Sequence, residues 1–179
     1  MTDKARVYGL ALYELAHEEG LSKELLNELN GCEKLFAENP DYVRLLSAPS
    51  ITKEERRDAV GKAFEGGVHT YIVSFLKLLI DREAVREFPG CVEAYRQKYY
   101  EDNDILEVTA TTAVALSKSA IDKLLKKLNL VFQKNIILKC RVDPRVLGGM
   151  RLECAGKRID GTVKDRLDRI EKGLRDTVL

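Results

Sequence analysis

The stretch VDPRVLGGMRLECAGKRIDGTVKDRLDRI, residues 142–170, packs four glycines among alternating apolar residues. Glycine density of this kind is what a phosphate-cradling loop needs, because backbone N–H groups must approach the anion closely. A Walker loop further requires G-x-x-x-x-G-K followed by Ser or Thr. Gly156-Lys157 is followed by Arg158, and the position five before Gly156 is Arg151. Gly61-Lys62 is followed by Ala63, with Arg56 five residues upstream. Neither makes the loop. A dinucleotide fingerprint should open a helix, whereas Gly148-Gly149 leads into a strand pattern. The glycines are therefore read as turn residues.

Other chemistry finds no better footing. His17 lies in HEEG at a helix end and His69 follows Gly-Gly-Val, so each is expected to be exposed or capping. Cys32, Cys91, Cys140 and Cys154 are scattered with no C-x-x-C pair, which argues for buried free thiols over a zinc site. No G-x-S-x-G elbow, H-E-x-x-H pair or familiar Cys–His spacing occurs. Acidic residues sit beside Lys and Arg on helix exteriors, the mark of a solvated surface. The expectation is no catalytic residue, no cofactor and no metal.

The elements that would position any site fall into two halves. The chain has 179 residues, 45% of them hydrophobic, with a net charge of +1. Residues 1–104 carry 14 Lys/Arg against 20 Asp/Glu, and residues 105–179 carry 16 against 9. The apolar period changes at the same place. Before Asp104 it is helical: a segment around Arg6–Ala16, then a stripe at Leu21, Leu25, Leu29, Cys32 and Phe36 with Ser22 as cap. DYVRLLSA follows between Pro40 and Pro49. Next comes a helix opened by a Thr52/Glu55 capping box, then HTYIVSFLKLLIDR, and a last helix with Pro89 in its first turn. After Asp104 the period is two. ILEVTATTA reads as a strand with Leu106, Val108 and Ala110 on its one buried face. A helix capped by Ser117 follows, with Ile121, Leu124, Leu125, Leu128 and Phe132 in its stripe. Three more strands come next, one of them NIILKCRV with Ile136, Leu138, Cys140 and Val142 on one face. A final amphipathic helix carries Val163, Leu167, Ile170, Leu174 and Val178. The fold class is α+β: an N-terminal six-helix bundle, 1–104, then a small C-terminal α/β domain, 105–179, with a short mixed sheet and a terminal amphipathic helix.

Two helices are apolar nearly all round. VYGLALYELA is interrupted only by Gly9 and Glu14, and YIVSFLKLLI only by Ser74 and Lys77. One such helix can be central in a six-helix unit; two would strain it. A groove for a partner helix, walled by these two, is the reading the pattern favours.

At this point the chain resembles the delta subunit of the F-type ATP synthase, the family of the mitochondrial oligomycin-sensitivity-conferring protein. The resemblance spans nearly the whole length. It rests on ARVYGLALYELA (5–16), LLSAPSI (45–51), FLKLLIDR (75–82) and the 142–170 stretch. In that stretch an Asp-Pro turn precedes a Gly-Gly pair, and Ile-Asp-Gly-Thr leads into a basic helix. Glu83-Ala84-Val85 departs from the Gly-Arg-Leu that many members carry after the fifth helix.

The resemblance implies a non-catalytic stator subunit in ATP synthesis and hydrogen ion transport. The bundle would hold the N-terminal helix of an alpha subunit between its first and fifth helices, and the C-terminal domain would grip the b subunits. Partner-binding residues would be Tyr8, Ala11, Leu12 and Leu15 on the first helix, and Ile72, Phe75, Leu76 and Leu79 on the fifth. The subunit would sit peripherally on the cytoplasmic face of the cell membrane, without direct membrane insertion; no apolar run approaches the ~18 residues of a span. Two rival readings are a generic helical adaptor and a nucleic-acid module using the basic C-terminal half. GGMR does not match a GXXG loop and no aromatic residues stud the strands, so no nucleic acid is expected.

Overall fold

The computed structural model describes residues 1–64, 66–146 and 148–154, together with the backbone of 157–160. The chain divides into two compact units, Met1–Tyr100 and Glu101–Leu179. It is an α+β fold with helices in the first unit and a mixed sheet in the second.

Six α-helices are described in the first unit: α1 (Asp3–Glu18), α2 (Ser22–Glu38), α3 (Pro40–Leu46), α4 (Lys53–Phe64), α5 (Thr70–Asp81) and α6 (Phe88–Asp102), with a 3-10 turn (Val85–Glu87) before the last. Their ends follow local chemistry. Thr2 caps α1, its hydroxyl accepting from Ala5 N at 3.2 Å. Before α4 the capping box forms: Glu55 N donates to Thr52 Oγ1 at 3.2 Å, and Thr52 N donates to Glu55 Oε2 at 3.1 Å. The Thr52 hydroxyl also donates to Glu55 Oε2 at 2.9 Å, and this bond, with the one from Thr52 N, holds the Glu55 carboxyl below its ordinary range. His69 is the cap of α5, its Nδ1 accepting from Tyr71 N. Ser22, expected as a cap, is instead the first residue of α2. Leu21 stands at the capping position because its own N–H is tied to Ala16 O at 2.8 Å in the closing turn of α1.

All six helices contribute to one core. Tyr13, Leu25, Leu29, Leu46, Ile72, Leu76, Leu79, Phe88 and Tyr95 are almost fully enclosed. Tyr13 meets Tyr95 edge-on at 5.2 Å, and Phe36 lies 4.9 Å from Phe88. Small residues bring α1 onto α6: a Cβ added to Gly9 would stand 2.8 Å from Ala94 Cβ, and one added to Gly90 would stand 2.9 Å from Ala5 Cβ. Beside this, Arg96 joins α6 to α2 through Glu33 at 2.8 Å and Asn30 at 2.6 Å.

The second unit contains β1 (Ile105–Thr112), α7 (Lys118–Phe132), β2 (Asn135–Val142), β3 (Met150–Cys154) and β4 (Lys157–Asp160), with sheet order β2-β1-β3-β4. β1 and β2 are parallel, Ile105 opposite Asn135, so α7 is the crossover that such a pair requires. β3 is antiparallel to β1, and β4 to β3. Ser117 caps α7, whose expected stripe turns inward around buried Leu128. One expectation changes. β1 is expected to have one covered face, but Thr111, on the face opposite Val108 and Ala110, is buried too, so both faces are covered at its C-terminal end. Cys140 and Val142, expected on the covered face of β2, are exposed at the sheet edge. The terminal helix expected over Val163–Val178 lies outside the described residues.

Candidate functional site

In the described part of the glycine-rich stretch the chain turns from β2 into β3. Asp143 N donates to Thr112 O at 2.9 Å, continuing the ladder, and its carboxylate accepts from Arg145 N at 3.0 Å and from the Arg145 guanidinium at 3.1 Å. These bonds hold the Asp143 carboxyl below its usual range. Gly148 and Gly149 both adopt positive φ, 86° and 83°, which returns the chain into β3. Gly156 and Gly161 lie outside the described residues.

The thiols and imidazoles are structural where they are enclosed. Cys32 and Cys91 are buried, and burial raises their thiols to about 11 and about 12, with Glu28 and Glu87 adding to the rise. Cys140 is exposed and Cys154 half-buried, so the expectation of four buried thiols holds for two. His17 stacks on Tyr13 at 5.7 Å. No group of three or more His, Cys, Asp or Glu is placed to hold a metal among the described residues.

The expected partner-binding residues separate into two classes. Leu12 on α1 and Ile72, Phe75, Leu76 and Leu79 on α5 lie in the core, none more than 6% exposed. α5 turns its most apolar side inward, where Ile72, Phe75, Leu76, Leu79 and Ile80 pack with residues of the other helices. Tyr8, Ala11 and Leu15 stand differently. Tyr8 is half-buried, Ala11 is exposed and Leu15 is 39% exposed. Their spacing of three and four places them on one side of α1, flanking the buried stripe of Ala5, Gly9, Leu12 and Ala16. Val7, 63% exposed, extends this outer side. On α5 the corresponding outer residues are half-buried Tyr71, exposed Ser74 and Leu78, which is 39% exposed.

Val7, Tyr71, Ser74 and Leu78, on the outer sides of these helices, are not among the partner-binding residues expected from the sequence. The available signal was position: on α5, residues 71, 74 and 78 share one stripe, next to the one that carries Val73 and Lys77. What this arrangement can do chemically is bind. It presents Val7, Ala11, Leu15 and Leu78 with the hydroxyl-bearing Tyr8, Tyr71 and Ser74 at helical spacing, and no acid–base pair among them.

The ATP synthase delta (OSCP) subunit family matches residues 5–174. The chain is 29% identical over 175 residues to the ATP synthase subunit delta of Clostridioides difficile (strain 630), covering 97% of each protein. It is 32% identical over 161 residues to the ATP synthase subunit delta of Acetivibrio thermocellus, covering 89% of this chain and 90% of that one. A chain in the structure of the Toxoplasma gondii mitochondrial ATP synthase hexamer has the same fold, with a TM-score of 0.77 at 13% identity; the match covers 97% of this chain and 98% of that one.

Proposed function

The chain belongs to the ATP synthase delta (OSCP) subunit family, and from that premise we propose that it ties the catalytic head of the synthase to the b subunits. Proteins of this family are structural rather than catalytic subunits, components of the peripheral stalk. No described helix is long and apolar enough to cross a membrane. The first unit, as a six-helix bundle, receives the N-terminal helix of an alpha subunit. The second grips the ends of the b subunits, on the cytoplasmic face of the membrane.

The observation that carries this reading is the outer stripe of α1. Val7, Ala11 and Leu15 remain outside the core, and half-buried Tyr8 packs against its edge. An amphipathic helix laid along that stripe, and against Tyr71, Ser74 and Leu78 of α5, would bury it by helix-in-groove recognition. The buried members of the expected set, Leu12, Ile72, Phe75, Leu76 and Leu79, support the groove from below and do not line it.

A stator carries torque and performs no chemistry, so its contacts must hold under reversing load. A nanomolar hold asks for about 12 kcal/mol, and a few central apolar anchors supply most of such an energy. The test is calorimetric titration of the full chain with a synthetic peptide of the alpha N-terminus. Leu15→Asp places an unpaired charge against the incoming helix and should weaken binding by about a hundredfold or more. Its melting temperature should stay at the wild-type value. Normal binding by that variant refutes the α1 stripe. Recovery of alpha and b subunits with the chain from a membrane extract tests the wider assignment.

A further inference from the structure

At the C-terminal end of α3 a cleft of about 370 Å³ lies between the first turn of α4 and the 3-10 turn. Leu46, Pro49 and Val85 give it an apolar wall, and Ser47, Arg56, Arg86 and Glu83 are its polar groups. Arg56 is only 5% exposed. Its Nη1 donates to Leu46 O at 3.2 Å and its Nε to Thr52 O at 3.4 Å. Its Nη2 has no partner among the described residues, and neither does the Arg86 guanidinium. Ser47 Oγ is buried and likewise has none.

Burying a cation is costly unless an anion or a full set of acceptors balances it. Arg56 has two carbonyls and no carboxylate. Glu83 does not fill the place, because it pairs with Lys53 Nζ at 3.4 Å and its side chain is 72% exposed. The free groups of the cleft are therefore all able to donate: Nη2 of Arg56, the guanidinium fork of Arg86 and a hydroxyl. Their complement is an oxyanion, and a guanidinium fork matches the two oxygens of a carboxylate. The volume is far larger than a bare anion needs, and the apolar wall suits the carbon chain that carries the carboxylate.

We propose that this cleft binds the carboxylate of an acidic peptide segment, held by Arg56, Arg86 and Ser47. The site uses none of the α1 stripe residues and stands whether or not the alpha helix docks there.

The probe is N-acetylglutamate amide, titrated into the isotope-labelled full chain while the backbone amides of Ser47, Ala48 and Arg86 are followed. Saturable shifts with a dissociation constant on the order of millimolar are expected, given the few atoms of the probe. N-acetylglutamine amide, which lacks the charge, should produce none. Arg86→Gln lies on the exposed side of the cleft and should weaken the glutamate probe at least tenfold with no change in melting temperature; Ser47→Ala should do the same. Equal shifts from both probes, or shifts that survive both substitutions, overturn the proposal. So does inorganic phosphate saturating the same amides at lower concentration, since that would make the cleft a site for a free anion.

Discussion

Gly9 on α1 lies so close to the carbonyl oxygen of Cys91 on α6 that no Cβ fits between them. The same point of α1 faces Ala94, whose Cβ would be 2.8 Å from the added carbon. Gly9→Ala must therefore push the two helices apart, which costs about 1–3 kcal/mol in a packed core. Thermal melting should show the loss, and a melt indistinguishable from wild type would mean that the crossing yields more easily than backbone against backbone allows.

Leu76→Asp separates core from docking surface. Leu76 is 1% exposed, and an unpaired carboxylate there costs several kcal/mol, a large part of a stability of about 5–15 kcal/mol. The helical unit should lose its cooperative melt. Leu78→Asp, on the outer side of the same helix, should melt normally and bind the alpha peptide poorly. The reverse pattern would show that α5 is turned the other way in solution.

The turn after α5 uses a residue ill suited to it. Glu83 has φ 56°, with Ala84 N bound to Leu79 O at 2.8 Å and Glu83 N to Ile80 O at 3.1 Å. This is the helix-closing motif that glycine serves best. A side chain in that conformation costs about 1–2 kcal/mol, and the exposed Lys53–Glu83 pair returns about 0–1 kcal/mol. Glu83→Gly should raise the melting temperature, while Glu83→Gln should not. The Gly-Arg-Leu expected here from the resemblance is absent, yet Glu83 takes the positive φ that a glycine adopts most readily.

Glu55 gives a pH signature. Its folded-state pKa is depressed by the Thr52 bonds, so its stabilising contribution is present above the ordinary carboxylate range and is lost as pH falls through the folded value. Glu55→Ala should lower the melting temperature at pH 7. The gap should close below about pH 4, the ordinary carboxylate range. A gap that stays constant from pH 7 to pH 3 would exclude the carboxylate as its source.

The two units should also fail separately. A chain ending at Asp104 is expected to melt cooperatively as a helical protein. Gly149→Val, which forces a β-branched residue to φ 83°, should damage only the second unit. Far-ultraviolet melting of the fragment and amide exchange in the variant check both. Non-cooperative melting of the fragment would sink the independence of the first half.

Much of this architecture was legible because it rests on short-range chemistry. The Thr52/Glu55 box, the Ser117 cap and the change of period after Asp104 each depend on residues a few positions apart. Facing was harder to read. In α1 and α5 apolar residues occur on nearly every side, so periodicity does not say which stripe the core takes, and the groove was assigned residues such as Leu76 that the core had claimed. Arg56 was hidden for the opposite reason. KEERRD reads as a solvated run, and only the arrival of Leu46 and Val85 from elsewhere in the chain encloses that guanidinium.

The position of β1 in its sheet has a consequence for synthesis. It is an inner strand, yet both its neighbours, Asn135–Val142 and Met150–Cys154, come later in the chain. When Val108 leaves the ribosome its antiparallel partner Cys154 is still untranslated, and at about 5–20 residues per second the wait is roughly 2–10 s. The helical unit is complete by then and folds on contacts it already owns. Both edges of β1 are unpaired until Asn135–Val142 emerges and one remains so until Met150–Cys154 follows, and this interval, more than the finished fold, is where premature association between neighbouring nascent chains would begin.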